Sequence, residues 1–150
     1  MILIPIIAFL GLIVGNLIAK YTKEEIEQGK VYFYASKRLL LFILSVILSL
    51  TFLWNMNALI FFIMGLIASK ILRLPYSWLG IALAASINPL LIATLIFVYG
   101  LIDGTSNKII IKNALAFFIP FSLLLTNTPA DLLTKFAAGA ILYTALFGEQ

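Results

Sequence analysis

Apolar residues in this chain fall into long, nearly unbroken runs: residues 2–19, 39–54, 57–72, 74–102, 113–126 and 130–147. A helix that crosses a bilayer needs roughly 17–25 such residues. Ten-residue stretches of alternating apolar and polar positions, the mark of a membrane barrel, are missing from the sequence. With no water in the hydrocarbon, every backbone group must be paired within the protein, and a helix achieves this inside its own segment. The pattern predicts an all-α fold: a polytopic transmembrane helix bundle of about six spans, with residues 1–150 as a single integral membrane domain.

The run 74–102 is too long for one straight crossing. At about 1.5 Å per residue it would measure roughly 43 Å, against a hydrocarbon core of ~30 Å. Asn88-Pro89 stands near its middle. Proline lacks the N–H that would pair with the carbonyl four residues earlier, here Ala85, and it pushes the preceding residue out of the helical region. The run is therefore either one kinked span or a re-entrant pair of arms meeting at Asn88-Pro89. Charge bears on the choice. Lys20, Lys23, Lys30, Lys37 and Arg38 crowd the connection at residues 20–38, and the connection at 54–57 has no basic residue. The positive-inside rule makes the first connection cytoplasmic and puts the amino terminus outside the cell membrane. Lys70 and Arg73 then fall inside. Lys108 and Lys112 fall outside for a kinked span and inside for a re-entrant one. Two lysines are a weak vote, and the kinked span is preferred, with Asn88 facing the protein interior.

Composition supports the membrane. Hydrophobic residues make up 63% of the 150, charged residues only 11%, and the mean hydropathy is +1.15. So few charges could not cover a soluble fold of this size. The net charge of +4 includes no basic stripe long enough to follow phosphates, so nucleic acid is not an expected partner. The expected partners are the lipid bilayer and, through helix packing, a homo-oligomer or other membrane subunits. Cysteine and histidine are absent. That excludes disulfides, thiolate or imidazole metal ligands, haem ligation and Ser-His or Cys-His catalysis. No cofactor and no metal is expected.

Local patterns add detail. Thr22-Lys23-Glu24-Glu25 has the form of a capping box, opening a short helix that Gly29 could close. Tyr32, Phe33 and Tyr34 beside Lys30, Lys37 and Arg38 suit the headgroup zone, as lipid or partner contacts or simply as an anchored loop. Gly11, Gly15 and Ala19 recur at spacing four, as do Gly65 and Ser69, and Ala140, Thr144 and Gly148. Such small-residue stripes let helices approach closely. Ile4-Pro5 ahead of Gly15-Asn16 echoes Asn88-Pro89 ahead of Gly100-Leu101. Three spans per half would make the halves inverted repeats, as in many secondary transporters.

The only aspartates are Asp103 and Asp131. The segment from Ala130 to Lys135 looks slightly like the second aspartate motif of prepilin-type membrane proteases. It departs from that motif where Thr-Pro-Ala replaces the Gly-x-Gly before the aspartate, and the two aspartates stand closer in sequence than in that family. Turn chemistry at Asp103-Gly104 and an ion pair from Asp131 to Lys135 account for them without catalysis, and no catalytic residue is assigned. Polar groups inside membrane spans are costly and often functional. Asn88, Pro89, Asn16 and Ser122 are the expected lining of a solute or ion pathway. The resulting expectation is a small solute- or ion-translocating protein. The alternatives are a non-catalytic subunit of a larger membrane complex and, with less support, a membrane enzyme using Asp103 and Asp131.

Overall fold

The structure is a computed structural model, and it describes residues 3–51, 55–105, 110–123 and 129–148, without the side chains of Lys23 and residues 121–123. Among the described residues the chain is all helical: α1 Leu3–Tyr21, α2 Lys23–Leu50, α3 Met56–Leu72, α4 Pro75–Ala85, α5 Pro89–Gly104, α6 Ile110–Leu123 and α7 Ala130–Phe147. Three of these, α1, α2 and α7, are long and apolar enough to cross a membrane. Large apolar side chains stay exposed along the outside of the bundle, among them Leu10, Val14 and Leu17 on α1, Phe42 and Val46 on α2, and Ile60, Ile63 and Ile67 on α3. A belt of that kind would be a severe liability in water and is what lipid requires.

The run 74–102 folds back on itself. Ser86 is extended, with φ −75° and ψ 142°, and α5 restarts at Pro89 with Asn88 as its N-cap. Prolines open both α4 and α5, where the missing N–H has no intrahelical partner to lose. Tyr76, at the start of α4, donates a 2.8 Å hydrogen bond to Asp103, at the end of α5. The two ends of the run thus meet. The preferred kinked span is overturned, and the re-entrant alternative is the fold. Lys112, near the start of α6, lies at the same end of the bundle as Arg73, as the re-entrant alternative requires; Lys108 lies outside the described residues.

Once the hairpin is in place the helices alternate in direction. Successive contacts show it. Gly11 and Gly15 of α1 lie against Phe97 and Leu101 of α5, so α1 and α5 are parallel. Gly65 meets Phe136, and Ser69 bonds Thr144 at 2.9 Å, so α3 and α7 are parallel as well. Ser45 donates to the Ala138 carbonyl at 2.8 Å and Arg38 to that of Gly148 at 2.9 Å, so α2 runs antiparallel to α7. The halves α1–α3 and α5–α7 therefore run in the same senses, with α4 between them. The expected inverted repeat is overturned, because the hairpin adds one reversal of direction.

The glycine stripes explain these pairings. A methyl group on Gly11 would lie 2.1 Å from the Phe97 carbonyl oxygen, and one on Gly65 2.0 Å from that of Phe136. Only a residue without a Cβ allows backbones this close, which suits association in lipid, where packing replaces the hydrophobic effect. The core adds aromatic contacts: Phe9 of α1 meets Tyr76 of α4 and Phe117 and Phe118 of α6, with ring centroids 5.6–6.3 Å apart.

Two local expectations also change. Gly29 does not close a helix: α2 runs through it for 28 residues, about 42 Å. Its first turns carry exposed Glu24, Glu25, Glu27 and Lys30, and burial begins at Leu41. Thr22 occupies the N-cap position without a side-chain cap bond; its hydroxyl donates back to the Ile18 carbonyl of α1 at 3.0 Å.

Candidate functional site

Helix direction sorts the basic residues. α1 and α3 end, and α2, α4 and α6 begin, at one end of the bundle. Lys20, Lys30, Lys37, Arg38, Lys70, Arg73 and Lys112 all belong to that end. Lys135, on the first turns of α7, lies toward the opposite end.

At the basic end α2, α3, α5 and α7 line a partly open cavity of about 220 Å³. Lys37 and Arg38 project from α2, Arg73 from the turn after α3, Tyr99 from α5, and Tyr143 and Thr144 from α7. Each is placed by a local feature. Arg73 terminates α3 in the left-handed region, at φ 38° and ψ 40°, its N–H bonded to the Ser69 carbonyl at 3.1 Å. Arg38 is held by the end of α7, donating to the Gly148 carbonyl at 2.9 Å, with its guanidinium 4.5 Å from the centroid of the Tyr34 ring. Tyr34 donates to the same carbonyl at 3.2 Å. Lys37 forms an ion pair with Asp103, which also accepts the Tyr76 bond. Asp103 is 2% exposed and sits behind the cavity wall.

The charges of the described lining residues are all positive: Lys37, Arg38 and Arg73. The carboxy-terminal ends of α3 and α7 bring negative dipole ends of about half a charge each. Three full cations outweigh them even with Asp103 close behind Lys37. Two donors in this wall have no hydrogen-bond partner among the described residues: Arg38 Nε and the Tyr99 hydroxyl. Tyr99 is 1% exposed. A buried donor left unpaired costs on the order of 1–3 kcal/mol.

The residues singled out from the sequence separate into three groups. Lys37, Arg38 and Ser69 come together in the cavity, although Ser69 was chosen for packing alone. Gly11, Gly15 and Gly65 are buried against α5 and α7, Ala19 is half-buried, and Lys30 is exposed on the free part of α2. The proposed pathway residues do not converge. Asn88 is exposed, accepting from the Leu91 N–H at 3.4 Å, and does not face the interior. Pro89 is half-buried beside it, while Asn16 lies toward the basic end and is half-buried. The Ser122 side chain falls outside the described residues. The Ala85 carbonyl freed by Pro89 accepts a 2.9 Å bond from Thr134 of α7, so the break is filled by protein. Lys135 is fully buried and donates to the Ser49 carbonyl of α2.

Asp103 and Asp131 stand at opposite ends of the bundle, by the directions of α5 and α7, which separates them too far to share a proton. Among the described residues no three carboxylates gather as a metal site. Sequence reasoning missed Arg73, Tyr99 and Tyr143. Comparison of the chain with protein-family models, with curated proteins and with solved structures gave no match.

Proposed function

We propose that this is an integral membrane protein that binds an anionic ligand at its basic end, and that this end faces the cytoplasm. One observation carries the reading: a partly open cavity lined by three cations, one of them paired with Asp103 behind it, with no carboxylate in its described lining and two buried donors without a hydrogen-bond partner among the described residues. The orientation follows from gathering the basic residues at one end.

The test is a titration of the purified protein, in nanodiscs of neutral lipid, with phosphate, sulfate and succinate, read by thermal unfolding. A ligand present at 100 times its dissociation constant stabilises the folded state by about 2.7 kcal/mol. Saturable stabilisation by at least one anion is expected, and it should be weakened in Arg38→Gln. A melting temperature unmoved by all three would overturn the reading.

A second reading is translocation of the anion. It is favoured by the parallel halves α1–α3 and α5–α7, since parallel repeats are one of the architectures of secondary transporters. Proteoliposomes loaded with the bound anion should then exchange labelled anion faster than protein-free vesicles. Equal rates would confine the function to binding.

A further inference from the structure

We infer that the basic cavity takes its anion together with a proton, and that the proton goes to Asp103. This rests on the anion reading above and adds a coupled ion to it. Lys37 belongs to two places at once. It lines the cavity, and it forms an ion pair with Asp103, which is 2% exposed behind the wall. Its ammonium stands 5.8 Å from the centroid of the Tyr99 ring, itself part of the cavity lining. An anion in the cavity and the Asp103 carboxylate therefore compete for one ammonium.

The other two cations do not relieve that competition. Arg38 donates to the Gly148 carbonyl at the negative end of α7, and Arg73 is exposed, where water screens its charge. Without ligand, the charges of Lys37 and Asp103 sum to zero. An anion alone adds negative charge beside a buried carboxylate, and like charges repel strongly at low dielectric. A proton on Asp103 cancels the addition: the ligand takes over the ammonium, and a neutral carboxyl group stays behind. The proton comes from water at the basic end and binds Oδ1, the oxygen that faces Lys37. Oδ2 keeps the 2.8 Å hydrogen bond from Tyr76.

The surroundings single out Asp103 as the acceptor. α1, α2 and α4 pack against α5. From α2 comes Lys37, with Arg38 and Tyr34 beside it, and from α4 Tyr76. Tyr99 lies one turn earlier on α5 itself. α1 sets the backbone of Leu12, Gly15 and Asn16 against Gly104, and its Lys20 and Tyr21 are exposed farther out. Lysine, arginine and tyrosine already hold their protons at neutral pH. Asp103 is the group of this set that can gain one.

The experiment uses the full chain in nanodiscs of neutral lipid, with sulfate, phosphate and succinate as probes. Calorimetry in two buffers of different ionisation enthalpy counts the protons taken up on binding. The same measurement on Asp103→Asn subtracts any proton change that belongs to the probe. The wild type should take up close to one proton more per anion than Asp103→Asn. Its affinity for sulfate should fall by up to about tenfold per pH unit where that proton is exchanged. Asp103→Asn keeps a neutral acceptor for Tyr76, so it should bind sulfate severalfold tighter at neutral pH, with a flat profile. Tyr76→Phe removes a donor that favours the charged carboxylate, and should move the pH profile of binding up by about one unit. That shift identifies Asp103 even where Asp103→Asn does not fold. Equal proton uptake by wild type and Asp103→Asn, or an unmoved Tyr76→Phe profile, would overturn the inference while leaving the anion reading intact. Binding of no probe at any pH would overturn both.

Discussion

Arg73 holds a backbone conformation that costs a residue with a side chain about 1–2 kcal/mol and that glycine adopts freely. Helix ends of this kind usually carry glycine. The conformation places Arg73 in the cavity lining, and an outlier of this kind is a hypothesis of function to be tested. Arg73→Gly should therefore leave unfolding stability equal or raise it by about 1 kcal/mol, while weakening anion binding severalfold. Chemical denaturation and a binding titration on the same sample would check it; a large loss of stability with unchanged binding would make the residue structural. Part of this site was legible in the sequence. Lys37 and Arg38 stand out because charges next to an aromatic cluster at a span boundary are rare in so apolar a chain. Tyr99 was not legible, because a tyrosine among Ile, Leu and Phe reads as core. The overlooked signal was its hydroxyl, a polar group inside a membrane span that has to find a partner. Arg73 was read only as a marker of sidedness.

Helices in this fold are placed by backbone contacts more than by side-chain bulk, and one hydroxyl shows how. Thr134 lies between the Ala85 carbonyl at 2.9 Å and the Ala130 carbonyl at 2.7 Å. Its single hydrogen is shared between them, and the Ala85 oxygen is the one that Pro89 has left without an intrahelical donor. Thr134→Val, nearly identical in shape, should leave that oxygen unpaired in the core and cost on the order of 1–3 kcal/mol. Thermal unfolding in detergent measures this; an unchanged melting temperature would show that the carbonyl is satisfied otherwise. The break itself was legible, since Pro89 announces it and leaves the Ala85 carbonyl in need of a donor. The direction in which the chain leaves the break was not, because a proline disrupts a helix without choosing between a bend and a reversal. The choice depends on Tyr76 reaching Asp103, a long-range contact that no local pattern encodes. Spacing-four glycines showed which faces would pack, yet Gly100 and Gly104, which carry the same signal opposite Gly11 and Gly15, went unread.

At the scale of the molecule, the hairpin decides sidedness. With α4 and α5 as separate arms, residues 20–38, Arg73 and Lys112 share one side, and Ile87 at the hairpin tip lies toward the other. The chain has no cysteine, so single cysteines at Gln28, Ile87 and Lys112 can be probed with an impermeant thiol reagent. Gln28→Cys and Lys112→Cys should label only after the membrane is opened on its cytoplasmic side. Matching behaviour of the two is required; labelling of one and not the other in intact cells would contradict the hairpin. The parallel pairings have a further consequence, for biogenesis. Gly11 meets Phe97, a partner 86 positions later in the chain. At about 5–20 residues per second, α1 waits in the bilayer for some seconds with its glycine stripe against lipid. The last of the seven described helices, α7, is the one that touches α2, α3 and α4. Assembly is therefore gated by the synthesis of α7. Earlier helices can insert and alternate, but the bundle closes only when α7 arrives. A ribosome stalled before Ala130 leaves an inserted, open intermediate, the kind of species that membrane quality-control proteases remove.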